Sequence, residues 1–266
     1  MTAASTAADF FRTGWAAFPH DPTLAAWVAT ALPVARAAIA APENAKWFRY
    51  GGTWFAGVNA SPNDARGAMP GGPPLGGVAV DFIRSVLSLS AFDWDRAQIS
   101  VCYPGYPQPM EGESEATFQY RVKRDAAHVD GVQRVGPERR RFAREYHGFL
   151  LGVPLAPVEP GSSPFVVWEG SHEIVRAALG AALNPYPPET WGEIDVTDAY
   201  HAARRRCFDI CPRVEVSVEP GASYLVHRLA LHGMAPWRAS SANAEGRIVA
   251  YFRPDCLAPD DWLARP

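Results

Sequence analysis

The chain has 266 residues, 48% hydrophobic and 20% charged, a globular composition at a length that one domain can organise around a sizeable core. A formal net charge of −3 offers no basic surplus for phosphate backbones, so a nucleic-acid binder is not expected. Its 25 prolines favour turns over long helices, and no run is expected to reach the length of a membrane span. The cysteines, Cys102, Cys207, Cys211 and Cys256, form no CxxC pair, which speaks against a structural zinc site. The first residues lack the basic and apolar runs of a secretory signal, so reduced thiols and a cytoplasmic location are expected.

Residues 1–95 read as mainly helical. Residues 5–18 begin amphipathic, and 23–40 are rich in Ala and Leu between Pro22 and Pro42, with a break or kink expected at Pro33. A strand is predicted over 53–58, a Pro/Gly loop long enough for a lid over 60–77, and a helix over 78–89. From residue 97 to 253 the pattern turns to strands: 98–103, 118–123, 149–155, 165–168, 214–218, 223–226 and 247–252. Helices over 171–183 and 196–208 interrupt them. Helices followed by many spaced strands predict an antiparallel barrel or sandwich with helices outside one sheet.

Asp125-Ala-Ala-His128-Val-Asp130-Gly131 contains a His-x-Asp pair. On an extended segment, side chains two residues apart point to one side, so both can reach one ion. With a second histidine they would form a facial triad suited to iron(II), which leaves coordination positions open. Alone, the pair equally describes a surface contact or a hydrogen-bonded core histidine. Downstream, Ser223-Tyr-Leu-Val-His227-Arg-Leu-Ala-Leu-His232-Gly233 supplies two candidates for that histidine. Their odd separation points them to opposite faces of a continuous strand, and His232 is preferred. Arg247 opens an apolar strand 15 residues after His232 and needs either an anionic ligand or a carboxylate neighbour.

His-x-Asp, then a strand ending in Leu-His-Gly, then a strand-borne Arg, resembles the phytanoyl-CoA dioxygenase-like family of Fe(II)/2-oxoglutarate-dependent oxygenases. Ser163-Pro-Phe-Val-Val-Trp-Glu-Gly170-Ser171-His172 is similar to that family's strand and Gly-Ser-His turn; here Ser171 is read as a cap of the following helix. The resemblance spans about residues 97–253. It implies a mainly β fold with flanking α: a double-stranded β-helix (a jelly-roll, cupin-like barrel) with N-terminal helices packed outside, the whole of 1–266 forming one domain. It further implies that His128, Asp130 and His232 bind Fe(II) and carry catalysis, that 2-oxoglutarate and O2 are co-substrates, and that Arg247 clamps the distal carboxylate of 2-oxoglutarate. Ser241 and Tyr103 are candidate co-substrate contacts; Trp54, Gln119 and Trp237 are candidate substrate contacts. Met234-Ala235-Pro236-Trp237 departs from the family's small polar residue and Asn after His-Gly. Related halogenases have a small residue at the Asp130 position, so hydroxylation of a small-molecule metabolite, with release of succinate and CO2, is favoured. No nucleic-acid or membrane partner is implied, and the oligomeric state is open. A cupin-like metal enzyme of another class (isomerase-type) and a non-catalytic small-molecule-binding barrel are the alternatives; Arg247 separates the first from the oxygenase, and the intact triad argues against the second. The arginine-rich run 138–145 reads as a solvated loop, or as an attractor of anions.

Overall fold

The computed structural model describes residues 3–240 and 245–266. Helix α1 (Ala3–Thr13) stops at Gly14, whose φ of +84° turns the chain into strand β1 (Trp15–Phe18). A Cβ at Gly14 would lie 2.6 Å from His172 Nδ1, so a side chain is excluded both by conformation and by space. Helix α2 (Pro22–Ala40) starts on Asp21, whose carboxylate accepts from the Thr23 and Val78 amides, and it runs through Pro33 without a break. Contrary to the sequence expectation, this 19-residue helix is long and apolar enough to cross a membrane, with a mean hydropathy of 1.5. Alanines give it that hydropathy, and Leu24, Trp27, Val28, Ala31 and Ala35 are buried within the protein.

Short strands β2 (Phe48–Arg49) and β3 (Trp54–Phe55) precede α3 (Val78–Ser85) and β4 (Gln98–Cys102). Residues 118–123, predicted as a strand, belong instead to helix α4 (Glu115–Arg124). Ser114 caps its first turn by accepting from the Thr117 amide, a local start that six alternating residues do not overcome. The chain continues through β5 (Val132–Val135), β6 (Arg140–Ala143), β7 (Phe149–Pro154), β8 (Phe165–Trp168), α5 (Ser171–Leu183) and α6 (Thr197–Ile210). It closes with β9 (Arg213–Val216), β10 (Ser223–His227), β11 (His232–Met234), β12 (Arg247–Phe252) and α7 (Pro259–Ala264). Ser171 does not cap α5: Gly170 holds the cap position, and Ser171 Oγ accepts from the Leu231 amide at 2.8 Å.

All paired strands are antiparallel. One sheet has the order β1-β10-β7-β12-β4-β3-β2, a second β11-β8-β9, and β5-β6 form a hairpin. Alternation then sorts the side chains. On the large sheet, Ile99, Leu151, Leu225 and Ile248 face α1–α3 and pack with Phe10, Trp27 and Ile83. The opposite face sends Leu150, Tyr224, Val249 and Tyr251 against Phe165 and Val167 of the small sheet. The outer face of the small sheet, Val166 and Trp168, is covered by α5 and α6. The site lies between the two sheets.

His172 and His227 lie ring against ring at 4.8 Å, tilted by 42°, beneath α1, both buried. Burial, reinforced by Arg228 and Arg176, keeps His227 well below the usual imidazole value; burial also lowers His172, although Glu173 opposes it. Unfolded, each would titrate near about 6.5. Below that pH the unfolded chain binds protons that the folded protein refuses, so stability falls as pH falls. Thermal midpoints between pH 7.5 and 5 should drop in the wild type and flatten in a His172→Gln/His227→Gln variant. Parallel slopes would show that the pair does not carry the effect.

Candidate metal centre

The site is assembled by one turn and one bridge. After α4, Asp125 and Ala126 both adopt left-handed backbone, with φ of 53° and 54°. Arg213 locks the turn by donating to both Asp125 oxygens, at 2.7 and 2.8 Å. Residues 127–130 then run beside β11, where His128 and His232 exchange backbone hydrogen bonds of 2.8 and 3.0 Å. Gly233 explains the Leu-His-Gly pattern: a Cβ there would lie 2.1 Å from the Asp125 carbonyl oxygen. Gly233→Ala must push the 125–130 segment off β11. Overpacking of this kind costs about 1–3 kcal/mol. We expect a lower thermal midpoint together with weaker metal binding, read by metal titration of the folded variant.

The bridge brings three candidate ligand side chains together. The candidate ligand atoms of His128, Asp130 and His232 all lie within 4.8 Å of one another. Each histidine turns Nδ1 to a backbone carbonyl, Ala126 at 3.1 Å and Ala230 at 2.9 Å. Those carbonyls accept a hydrogen bond from Nδ1–H, a tautomer in which each Nε2 carries a free lone pair. Both lone pairs face Asp130, with Nε2 atoms 3.4 and 3.5 Å from its oxygens. Acceptors thus face acceptors, and Asp130 Oδ2 is buried without a hydrogen-bond partner. A cation at the centre resolves this arrangement. His232 is further held by stacking on Phe165, with ring centroids at 5.4 Å.

Arg253, which sequence reading did not single out, completes the group. It donates to Asp130 at 3.1 Å and to Gln98 at 2.8 Å, while its backbone amide is held by Asp95. Burial alone would raise the Asp130 carboxyl; the Arg253 guanidinium outweighs it and holds the group well below the usual carboxylate range. The available signal was parity: Arg253 is six residues after Arg247 on an extended chain, so both project inward.

No family model matches the chain, and no curated protein matches it in sequence. Solved structures do match in three dimensions. EctD from S. alaskensis, with bound Fe, is 18% identical with a TM-score of 0.51, over 96% of this chain and 76% of EctD. The non-heme alpha-ketoglutarate-dependent carbocyclase SnoK from nogalamycin biosynthesis is 13% identical with a TM-score of 0.51, over 96% of this chain and 85% of SnoK. The chain shares their fold.

The other sequence-predicted residues divide. A cavity of about 410 Å³ opens over the triad, walled by Tyr50, Trp54, Ser100, Tyr106, Phe165 and Arg253 among others. Trp54 lines it, donating to Ser100 Oγ at 2.9 Å and stacking on Tyr50 at 5.6 Å. Arg247 is buried between the sheets, with Nη2 at 3.3 and 3.5 Å from the Tyr224 and Tyr251 hydroxyls. Among the described residues no carboxylate pairs with it. It does not itself line the cavity: Tyr251 and Met234 do, and Met234 Sδ lies 3.4 Å from Arg247 Nη1.

Tyr103 is not brought to the site. It is outside the inward parity of β4 and packs toward α1–α3, stacked on Phe48 at 6.3 Å. Gln119, carried by a helix rather than a strand, bonds Glu115 on the surface of α4. Trp237 turns its indole N–H to the Ala239 carbonyl and does not line the cavity. Ser241 lies outside the described residues. His227, the rival third ligand, is held on the α1 side, accepting from the Leu229 amide.

Proposed function

We propose that the protein is a non-haem Fe(II), 2-oxoglutarate-dependent oxygenase acting on a small-molecule metabolite, with His128, Asp130 and His232 as metal ligands. One observation carries the reading: two lone-pair nitrogens and an orphaned buried carboxylate oxygen converge on a point beside an open cavity. The strand order supports a double-stranded β-helix, with β4, β12, β7 and β10 as one sheet and β11, β8 and β9, joined by the His128 bridge, as the other. With the motif order, this fold supports a place near the phytanoyl-CoA dioxygenase-like oxygenases and treats 1–266 as one domain.

The donor set, two imidazoles and one carboxylate, suits iron(II) with open positions. Arg247 supports 2-oxoglutarate: a buried guanidinium with two hydroxyls and no carboxylate is a seat for a dianion's far end. Met234 stands at the approach and must turn aside, which an unbranched thioether does readily. When bound, Fe(II), 2-oxoglutarate and O2 supply the oxidising power for attack on a C–H bond, with succinate and CO2 released. The chain's own residues do the rest. Arg253 keeps Asp130 ionised and oriented; the Ala126 and Ala230 carbonyls select the Nδ1–H tautomer that turns each Nε2 to the metal position. Phe165, Leu150 and Val249 exclude water, and Trp54, Tyr50 and Tyr106 shape the substrate wall. The carboxylate at Asp130 favours hydroxylation over halogenation. SnoK, a carbocyclase, shares the fold, so substrate placement decides the outcome.

Anaerobic visible spectroscopy tests the reading. Addition of Fe(II) and 2-oxoglutarate should produce a charge-transfer band that His232→Ala abolishes. No band, with tight zinc or manganese binding instead, would favour a metal barrel of another class.

A further inference from the structure

The hairpin β5–β6 pairs two arginines directly across its strands, Arg134 opposite Arg141. Like charges in such a register repel, and natural hairpins avoid them unless something neutralises the pair. Both line the cavity over the metal triad. Arg141 is buried, 8% exposed, and its Nε has no hydrogen-bond partner. Its one side-chain hydrogen bond is a long 3.4 Å contact to the Val132 carbonyl. Its backbone is fixed on both sides, the amide donating to Thr197 Oγ1 and the carbonyl accepting from the Val196 amide.

The charges around the cavity show what is missing. Each carboxylate on its wall has a cationic or imidazole partner: Asp125 has Arg213, Asp130 has Arg253, and Glu145 has His147. Among the described residues, neither Arg134 nor Arg141 has a carboxylate within ion-pair distance. The nearby residues add positive charge instead. Arg204, on α6, lies over the Tyr120 and Tyr200 rings at 4.8 and 5.5 Å, and Arg141 lies over Tyr200 at 5.3 Å. Burial and the neighbouring arginines push Arg141 down to about 10 and lower Arg134 as well. The rest of the run is engaged elsewhere, Arg140 with Asp195 and Arg144 with the Gly192 carbonyl.

We infer that Arg134 and Arg141 form an anion subsite in the cavity over the metal triad, which takes the carboxylate or phosphate of the substrate. Calling that anion part of the substrate rests on the oxygenase reading; its binding does not. A fork of two guanidiniums across a hairpin binds two oxygens of one such group, and the aromatic wall at Tyr50 and Trp54 covers the adjoining apolar part of the ligand.

Calorimetric titration of the full chain with benzoate, phenyl phosphate and uncharged benzyl alcohol tests this. Arg141→Gln and Arg134→Gln should each weaken both anions at least about tenfold, and leave benzyl alcohol unchanged. Arg205→Gln, on the exposed side of α6 and away from the cavity, should leave anion affinity intact. The thermal midpoint of each variant, expected at or above that of the wild type once the like-charge repulsion is relieved, checks that it is folded. Equal anion affinity in wild type and both variants would overturn the subsite. The ratio of benzoate to phenyl phosphate affinity distinguishes a carboxylate from a phosphate substrate, and either ratio supports the subsite. Anion binding without the Fe(II)/2-oxoglutarate band would remove the oxygenase reading and leave the subsite standing; the band without arginine-dependent anion binding would do the reverse.

Discussion

Asp130→Ala is expected to weaken Fe(II) binding by more than about 100-fold and to end succinate release from 2-oxoglutarate, because a ligand matters more than its supporting contacts, which are worth about 10- to 100-fold. The same change strips Arg253 of its counter-charge. Removing one partner of a fully buried pair costs about 3–5 kcal/mol. The loss here should be smaller, since the Arg253 side chain is 24% exposed and keeps its bond to Gln98. Asp130→Asn separates the two effects. It preserves volume and an oxygen for Arg253, so it should fold more stably than the alanine variant yet still fail to bind iron. Metal titration and thermal denaturation of both variants give the check. An asparagine variant that binds Fe(II) at wild-type strength would sink the ligand assignment.

Substitution at Arg247 should have the second largest effect, and in two opposite directions. Loss of a charge-assisted contact to a buried carboxylate costs about 2–5 kcal/mol, so Arg247→Met should weaken 2-oxoglutarate by about 30-fold or more. Fe(II) affinity should stay within about threefold. Without co-substrate, the same variant should melt higher than wild type. It replaces a buried guanidinium that has no carboxylate with an apolar chain of similar length, beside Met234 and between two tyrosines. Saturating 2-oxoglutarate should raise the wild-type midpoint and not that of the variant, because only the wild type binds it. A variant that melts lower and still binds 2-oxoglutarate would show that Arg247 is a packing residue.

Much of this candidate site was legible because its proposed ligands lie in short local patterns. His128 and Asp130 are two residues apart, and the Gly after His232 records a backbone approach that no side chain permits. The apolar strands 149–155, 165–168 and 247–252 were equally plain, since burial on both faces leaves continuous hydrophobic runs. The errors came where a local sequence had two solutions. Residues 118–123 alternate like a strand, but Ser114 starts a helix, and Gln119 was misplaced with it. The β5–β6 hairpin was hidden by its arginines, which read as solvent-facing until the register put two of them opposite each other. Tyr103 failed by one residue of parity. Arg253 escaped notice because nothing in its own neighbourhood distinguishes it; its meaning comes from Asp130, 123 positions earlier.

Strand β12 also acts as a ruler. Arg247 opens it and Arg253 follows its last residue on the same face, and an extended chain advances about 3.4 Å per residue, so about 20 Å of backbone separates them. On both sides the strand is pinned in register by β4 and β7. The spacing from the Arg247 guanidinium to the Asp130 end is therefore set by hydrogen-bonded ladder and not by loops. Loops around the mouth are free to vary in length and sequence without detuning that interval. An insertion or deletion of a single residue inside 247–252 would turn one end of the ruler toward α1–α3 and leave the other in place.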